Sequence, residues 1–177
     1  MTSSVLREYD TPSEDPAGSP AQLDAAEQQS WQRFLDASTL LLETLNRELK
    51  AVHQLTLYDV LLLDRLAKSE GGAARMSDLA NDLVLIPSRV TAQIRRLETQ
   101  GLVHRQACRN DRRSVIARIT ERGRSRLGPA LRTYAEGVRA LYLNPLSRQQ
   151  AGALGDSCRR VSTGLKASGL FLKPPPS

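Results

Sequence analysis

Between Leu23 and Lys166 the apolar residues return every three or four positions, and that rhythm breaks only between Leu102 and Ile119. Helical spacing on both sides of one short interruption restricts the chain to a mainly α-helical protein with a small β element. The first periodic stretch predicts a helix from about Leu23 to His53, striped by Phe34, Leu41, Leu42, Leu45, Leu49 and Val52. Thirty residues of helix make a rod roughly 45 Å long. That is long for a 177-residue chain, and such rods usually bury part of their stripe against another chain.

Local signals divide the rest. Thr56, with Asp59 three residues on, has the spacing of a capping box, and the helix it opens runs along Leu57, Val60, Leu61 and Leu66 until Ser69-Glu70-Gly71-Gly72 stops it. Ser77 is expected to cap a short helix with Leu79, Ala80 and Leu83 inward, and Asp78 in its first turn suits the helix dipole. Pro87 opens the next helix, where a missing N–H costs nothing, and Gly101 closes it after Gln100. Leu102–Ala107 and Ser114–Ile119, joined by a polar connector, read as a hairpin. Thr120 caps a further helix reaching Leu143, Asn144-Pro145 interrupts it, and Ser147 with Gln150 opens a last helix to about Lys166. The expected organisation is a flexible acidic tail (1–22), a dimerisation helix (23–55), a compact lobe (56–120), two dimerisation helices (121–167) and a C-terminal tail (168–177).

Composition narrows the function classes. No apolar run approaches the roughly 18 residues that span a bilayer, and the polar start gives no secretory signal, so the expected compartment is the cytoplasm, away from membranes. Cys108 and Cys158 cannot build a disulfide framework, and His53 and His104 lack a second ligand at metal-binding spacing. No Ser/His/Asp set, phosphate-cradling glycine loop or promising carboxylate pair is present, so neither an enzyme nor a cofactor is expected. With 4% aromatics the core must be aliphatic; Trp31, Tyr58 and Tyr134 are expected to serve as core residues, with the lining of a ligand pocket between helices as the alternative. Positive charge is concentrated. Of 25 basic residues only four are lysine, and residues 76–126 hold eleven arginines against five carboxylates, a net +6 equal to that of the whole chain. An arginine-rich lobe suits a polyanion, since the guanidinium fork matches phosphate and guanine alike.

The order short helix, longer helix, hairpin over Ser77–Ile119 is that of a winged helix-turn-helix, whose second helix enters a DNA major groove. On the Pro87–Gln100 helix, Val90, Ile94 and Leu97 share the core face. Ser88, Ala92 and Arg95 oppose them, flanked by Arg89, Thr91 and Arg96. Small residues, hydroxyls and arginines on one face suit entry into a groove, and Gln93 joins the expected DNA-facing set. Arg109, Arg112 and Arg113 at the hairpin tip suit a narrow minor groove, with Asp111 orienting a neighbouring arginine.

Pro87-Ser88-Arg89-Val90-Thr91, Leu97-Glu98-x-x-Gly101-Leu102-Val103, Asp111-Arg112-Arg113-Ser114 and Ile119-Thr120-Glu121-x-Gly123 together resemble the MarR family of bacterial transcription regulators, over about residues 23–167. The resemblance implies a homodimer interlocked through the first and last helices, each chain presenting one winged helix-turn-helix to half of a near-palindromic operator in double-stranded DNA. It implies repression of nearby genes, relieved by a small aromatic or phenolic effector. It makes Arg113 the minor-groove arginine and directs Ser88, Arg89, Thr91 and Arg95 to the major groove. Two alternatives stand beside it: a winged-helix protein-interaction module, and a redox-sensing regulator using Cys108, whose thiol Arg105 and Arg109 would activate.

Overall fold

The computed structural model describes residues 23–108 and 111–168, the side chains of 111–114 excepted. Its elements are α1 (Ala25–His53), α2 (Leu57–Lys68), a 3-10 turn (Glu70–Gly72), β1 (Ala73–Arg75), α3 (Met76–Asp82), α4 (Pro87–Thr99), β2 (Val103–Cys108), β3 (Asp111–Ile119), α5 (Glu121–Val138), a π-helical turn (Arg139–Leu143) and α6 (Arg148–Ala167). The fold is mainly α with a small antiparallel sheet in the order β1-β3-β2. Two compact units meet at Ser38–Thr39, inside α1. In the first, Asp24 and Glu27 cap the start of α1 reciprocally, and Trp31 stacks on Phe34 with ring centroids 5.8 Å apart. Trp31 is half exposed, so it is no core residue, contrary to expectation.

The second unit holds the core, and α2 runs through its middle. Leu57, Val60, Leu62, Leu63 and Leu66 are all buried, so α2 is apolar nearly all round, as a central helix must be. Leu79 of α3, Ile94 and Leu97 of α4 and Leu102 at the base of the hairpin close on it. The core is aliphatic, with Tyr58 and Tyr134 at its margin. Thr56 and Asp59 form the expected capping box, as do Ser147 and Gln150 at α6, and Thr120 accepts from the Gly123 N–H at 3.0 Å.

The hairpin pairs Val103 with Ile119 and Gln106 with Ile116, and β1 adds a third strand by pairing Ala74 with Ala117. This third strand corrects the expected start of α3. Because Ala73–Arg75 is held in the sheet, the chain turns straight into helix at Met76. Arg75 becomes the N-cap, without a side-chain bond, and Ser77 falls in the first turn, where its hydroxyl bonds Asp78. Gly101, at φ +71°, ends the segment after α4 and drops the chain into β2. Gly123 lets α5 start against the hairpin: a Cβ there would lie 2.2 Å from the Leu102 carbonyl oxygen.

The turn between α3 and α4 is strained. Val84 sits at φ 54°, in the left-handed region, with a β-branched side chain that is 44% exposed. That conformation costs roughly 1–2 kcal/mol for an L-residue and suits glycine. Val84→Gly is expected to raise stability by about 0.5–1 kcal/mol, the released strain exceeding the entropy glycine adds to the unfolded chain. Denaturant midpoints of the two proteins check this; no gain would mean that the strain is relieved locally.

The outer helices are sparsely covered. In the second unit only Leu45 and Leu49 of α1 are buried, while Leu40, Leu42 and Val52 stand exposed. No residue of α6 is buried, Leu154, Val161 and Leu165 are open to solvent, and Cys158 is exposed too. Among the described residues no helix is long and apolar enough to cross a membrane, and no cluster of ligands could hold a metal ion.

Candidate nucleic-acid interface

Helix α4 carries three stripes. Val90, Ile94 and Leu97 are fully buried and fix it to the core. Ser88, Ala92 and Arg95, at i, i+4 and i+7, are exposed on the far side. Between them Arg89, Gln93 and Arg96 repeat the same spacing on a flank turned toward the first turn of α2.

That flank is gripped by α2. The Arg89 guanidinium lies over the Tyr58 ring, 4.3 Å from its centroid, a cation–π contact that restricts a long side chain. Gln93 reaches the Thr56 hydroxyl at 3.5 Å, and Arg96 donates to the same hydroxyl at 3.3 Å and to the Asp59 carboxylate. Asp59 is completely buried. One of its oxygens accepts from the Thr56 N–H and hydroxyl, each at 2.6 Å, and from Arg96, while the other, like Gln93 Oε1, has no partner among the described residues. Gln93 and Arg96, expected to face DNA, thus make internal bonds here. Ser88, Arg89 and Arg95 remain presented to solvent. The Thr91 hydroxyl donates back to the Pro87 carbonyl at 2.9 Å.

A second brace holds the other end. Glu98 accepts from the Arg105 backbone N–H at 2.9 Å and from Arg105 Nε at 2.6 Å, tying α4 to β2. The backbone bond first, and the guanidinium second, hold the Glu98 carboxyl below its usual pKa. A carboxylate depressed in the folded state contributes stability above its unfolded pKa of about 4.3 and loses it as pH falls through the folded value. Glu98→Gln is therefore expected to flatten the acid limb of a plot of melting temperature against pH while leaving its shape near neutrality. An unchanged acid limb would mean that the brace does not depend on charge. The same brace takes up Arg105, one of the two arginines expected to activate Cys108.

Of the wing residues, Arg109 lies outside the described residues. The backbone of Asp111, Arg112 and Arg113 enters β3, and their side chains lie outside the description. Signals that the sequence did carry, Arg89 and Arg96 seven residues apart on α4 and Glu98 one position before its end, place the internal grip as well as the open face.

The fold has known relatives. The MarR family model matches residues 55–115, which run from α2 into the wing. AbsC, a MarR family transcriptional regulator from Streptomyces coelicolor, is 31% identical, with TM-score 0.76, over 82% of this chain and 98% of its own. The chain belongs to the MarR family. Sco3205, a family member from the same organism solved in complex with DNA, is 30% identical, with TM-score 0.79, over 89% of this chain and 95% of its own. An organohalide-sensing regulator, RdhR-CbdbA1625, shares the fold at 18% identity and TM-score 0.71, over 90% of this chain and 89% of its own. No curated protein sequence matches the chain. As a member of this family, the protein is a DNA-binding transcriptional regulator.

Proposed function

We propose that the protein is a homodimeric repressor that reads a near-palindromic operator. In each chain α4 enters the major groove through Ser88, Arg89, Thr91 and Arg95, and the hairpin reaches the adjacent minor groove through Arg109, Arg112 and Arg113, with Asp111 orienting them. The observation that carries this reading is the open face of α4. Ser88, Ala92 and Arg95 are exposed on a helix fixed at the flank by Tyr58, Thr56 and Asp59, and at its end by Arg105. A rigid helix that presents small residues and a guanidinium suits base-edge readout, whereas a protein-docking face would be apolar.

Dimerisation is supported by α6. A 20-residue helix with no buried residue gains little from packing within one chain, and most helical stability in proteins comes from packing an apolar face. Its row of Leu154, Val161 and Leu165, with Leu40, Leu42 and Val52 of α1, supplies the apolar faces that a second copy would cover. The dimerisation segments are then 23–55 and 121–167, around a DNA-binding lobe at 56–120.

Release by a small aromatic or phenolic acid completes the proposal. A cavity of about 150 Å3 lined by Gln54, Gln100, Leu102, Arg122 and Arg126 offers two guanidinium groups, which suit the carboxylate end of such an effector. RdhR-CbdbA1625 is seen bound to 2,4-dichlorophenol.

Titration of the full chain with the DNA upstream of its own gene, across a range of salt, tests the DNA reading. Binding no tighter than to random duplex would defeat it. For the dimer, sedimentation should give twice the chain mass. Val161→Glu, a charge placed on the exposed apolar row of α6, should shift that mass toward the monomer; an unchanged dimer would remove α6 from the interface.

A further inference from the structure

The first residues of the reading helix contain an apolar side chain that its local structure does not use. Ile86 is the N-cap of α4, at φ −67° and ψ 143°. Its carbonyl accepts from the N–H groups of Arg89 and Val90 at 3.0 and 3.3 Å, but its side chain makes no cap. Ser, Thr, Asp or Asn is favoured at such a position because the side chain then accepts from an orphan N–H. Here the position instead holds a branched hydrocarbon that is 57% exposed, while its neighbour Leu85 is buried and fills the core. Two residues earlier Val84 tolerates a left-handed conformation. The turn is thus built around Leu85, and Ile86 is left projecting at the tip of α4 beside the exposed Pro87 and Ser88.

A helix-turn-helix contacts base edges with the N-terminal residues of its second helix. Along the major-groove edges of the four bases, the one apolar group is the thymine C5-methyl. We propose that Ile86 is a specificity-determining residue that packs on a thymine methyl in each half-site. The inference rests on the DNA reading above and adds to it a base whose identity is read by hydrocarbon contact. Its partner in the sequence is Arg95, free for guanine about two and a half turns further on.

The test begins with selection of the operator from randomised duplexes by the full chain. Each thymine of the selected site is then replaced by deoxyuracil, which removes only the methyl. Because Ile86 is exposed, Ile86→Ala should fold as the wild type does. Wild-type protein is expected to lose about fourfold in affinity per half-site at one thymine, the effect of one buried methyl-sized group. In Ile86→Ala that loss should vanish at this thymine and persist at any read by another residue, such as Ala92. Identical uracil penalties in the two proteins, or no penalty anywhere, would overturn the assignment. A selection that returns no consensus would instead overturn the DNA reading on which it stands.

Discussion

Replacing Arg96 with methionine is expected to remove about 3 kcal/mol of folding stability, a lowering of the melting temperature by about 6–12 °C in a protein of this size. The reason is asymmetry within the pair. The Arg96 side chain is 41% exposed, and water could receive its charge if Asp59 were lost; the Asp59 side chain is wholly buried. Without Arg96, the carboxylate keeps only the Thr56 N–H and hydroxyl, and its second oxygen is already unpartnered. Breaking a buried pair usually costs roughly 3–5 kcal/mol, and the partial exposure of Arg96 places this one at the lower end. Adding Asp59→Asn to Arg96→Met should restore at least half of the loss, since the amide oxygen still accepts from Thr56 without a charge to bury. Urea denaturation at one fixed protein concentration measures all three proteins. A loss below about 1 kcal/mol in Arg96→Met would mean that the pair is effectively solvated.

The same pair shows what the sequence could and could not convey. Thr56 and Asp59 were legible as a capping box from their spacing alone, and the cap is there. The additional use of Asp59 as anchor for Arg96 was not, because an i, i+3 signal says nothing about burial. A clue existed in α2 itself. The run Leu57–Lys68 is apolar on nearly every side, which marks a central helix, and a first-turn carboxylate on a central helix has little chance of facing water. The wheel of α4 put Val90, Ile94 and Leu97 inward, where they are, and set Arg96 on the flank of the face that holds Arg95, since adjacent residues differ by 100°. That angle is enough to turn one guanidinium outward and the other onto α2.

Other elements escaped for different reasons. Strand β1 is three residues, Ala73, Ala74 and Arg75, without a β-branched side chain, and its partner lies more than forty residues on. No local pattern encodes such pairing, and its presence displaced the cap expected at Ser77 by holding the chain extended up to Arg75. Val84 carries no turn signal because the residue that occupies the left-handed position is not glycine or asparagine. The apolar stripe of α1 was read correctly as a stripe. Only Leu45 and Leu49 of its second-unit part are buried within one chain, since periodicity reveals that a face is apolar and not what lies against it.

The second large effect should appear on DNA rather than in stability. Arg95 is exposed, and its side chain has no hydrogen bond or ion pair among the described residues, so Arg95→Ala should leave the denaturation midpoint unchanged. Its fork is free to engage a guanine edge, and its removal should weaken operator binding by roughly tenfold to a hundredfold per half-site and relax preference at one base pair. Arg113→Ala, on the wing, should instead weaken binding while leaving the base preference of α4 in place, and lower the salt slope by about 0.9 per chain in log–log terms. The two substitutions therefore separate reading from holding, and Arg96→Met supplies the third case, a guanidinium one residue from Arg95 whose loss reduces stability while base preference stays. Loss of base preference in Arg96→Met, with none in Arg95→Ala, would reverse the assignment of the two neighbours. It would mean that α4 rolls by about one residue, some 100° of helix, when it meets DNA. The three buried residues Val90, Ile94 and Leu97 oppose such a roll, because it would carry all of them out of the core at once.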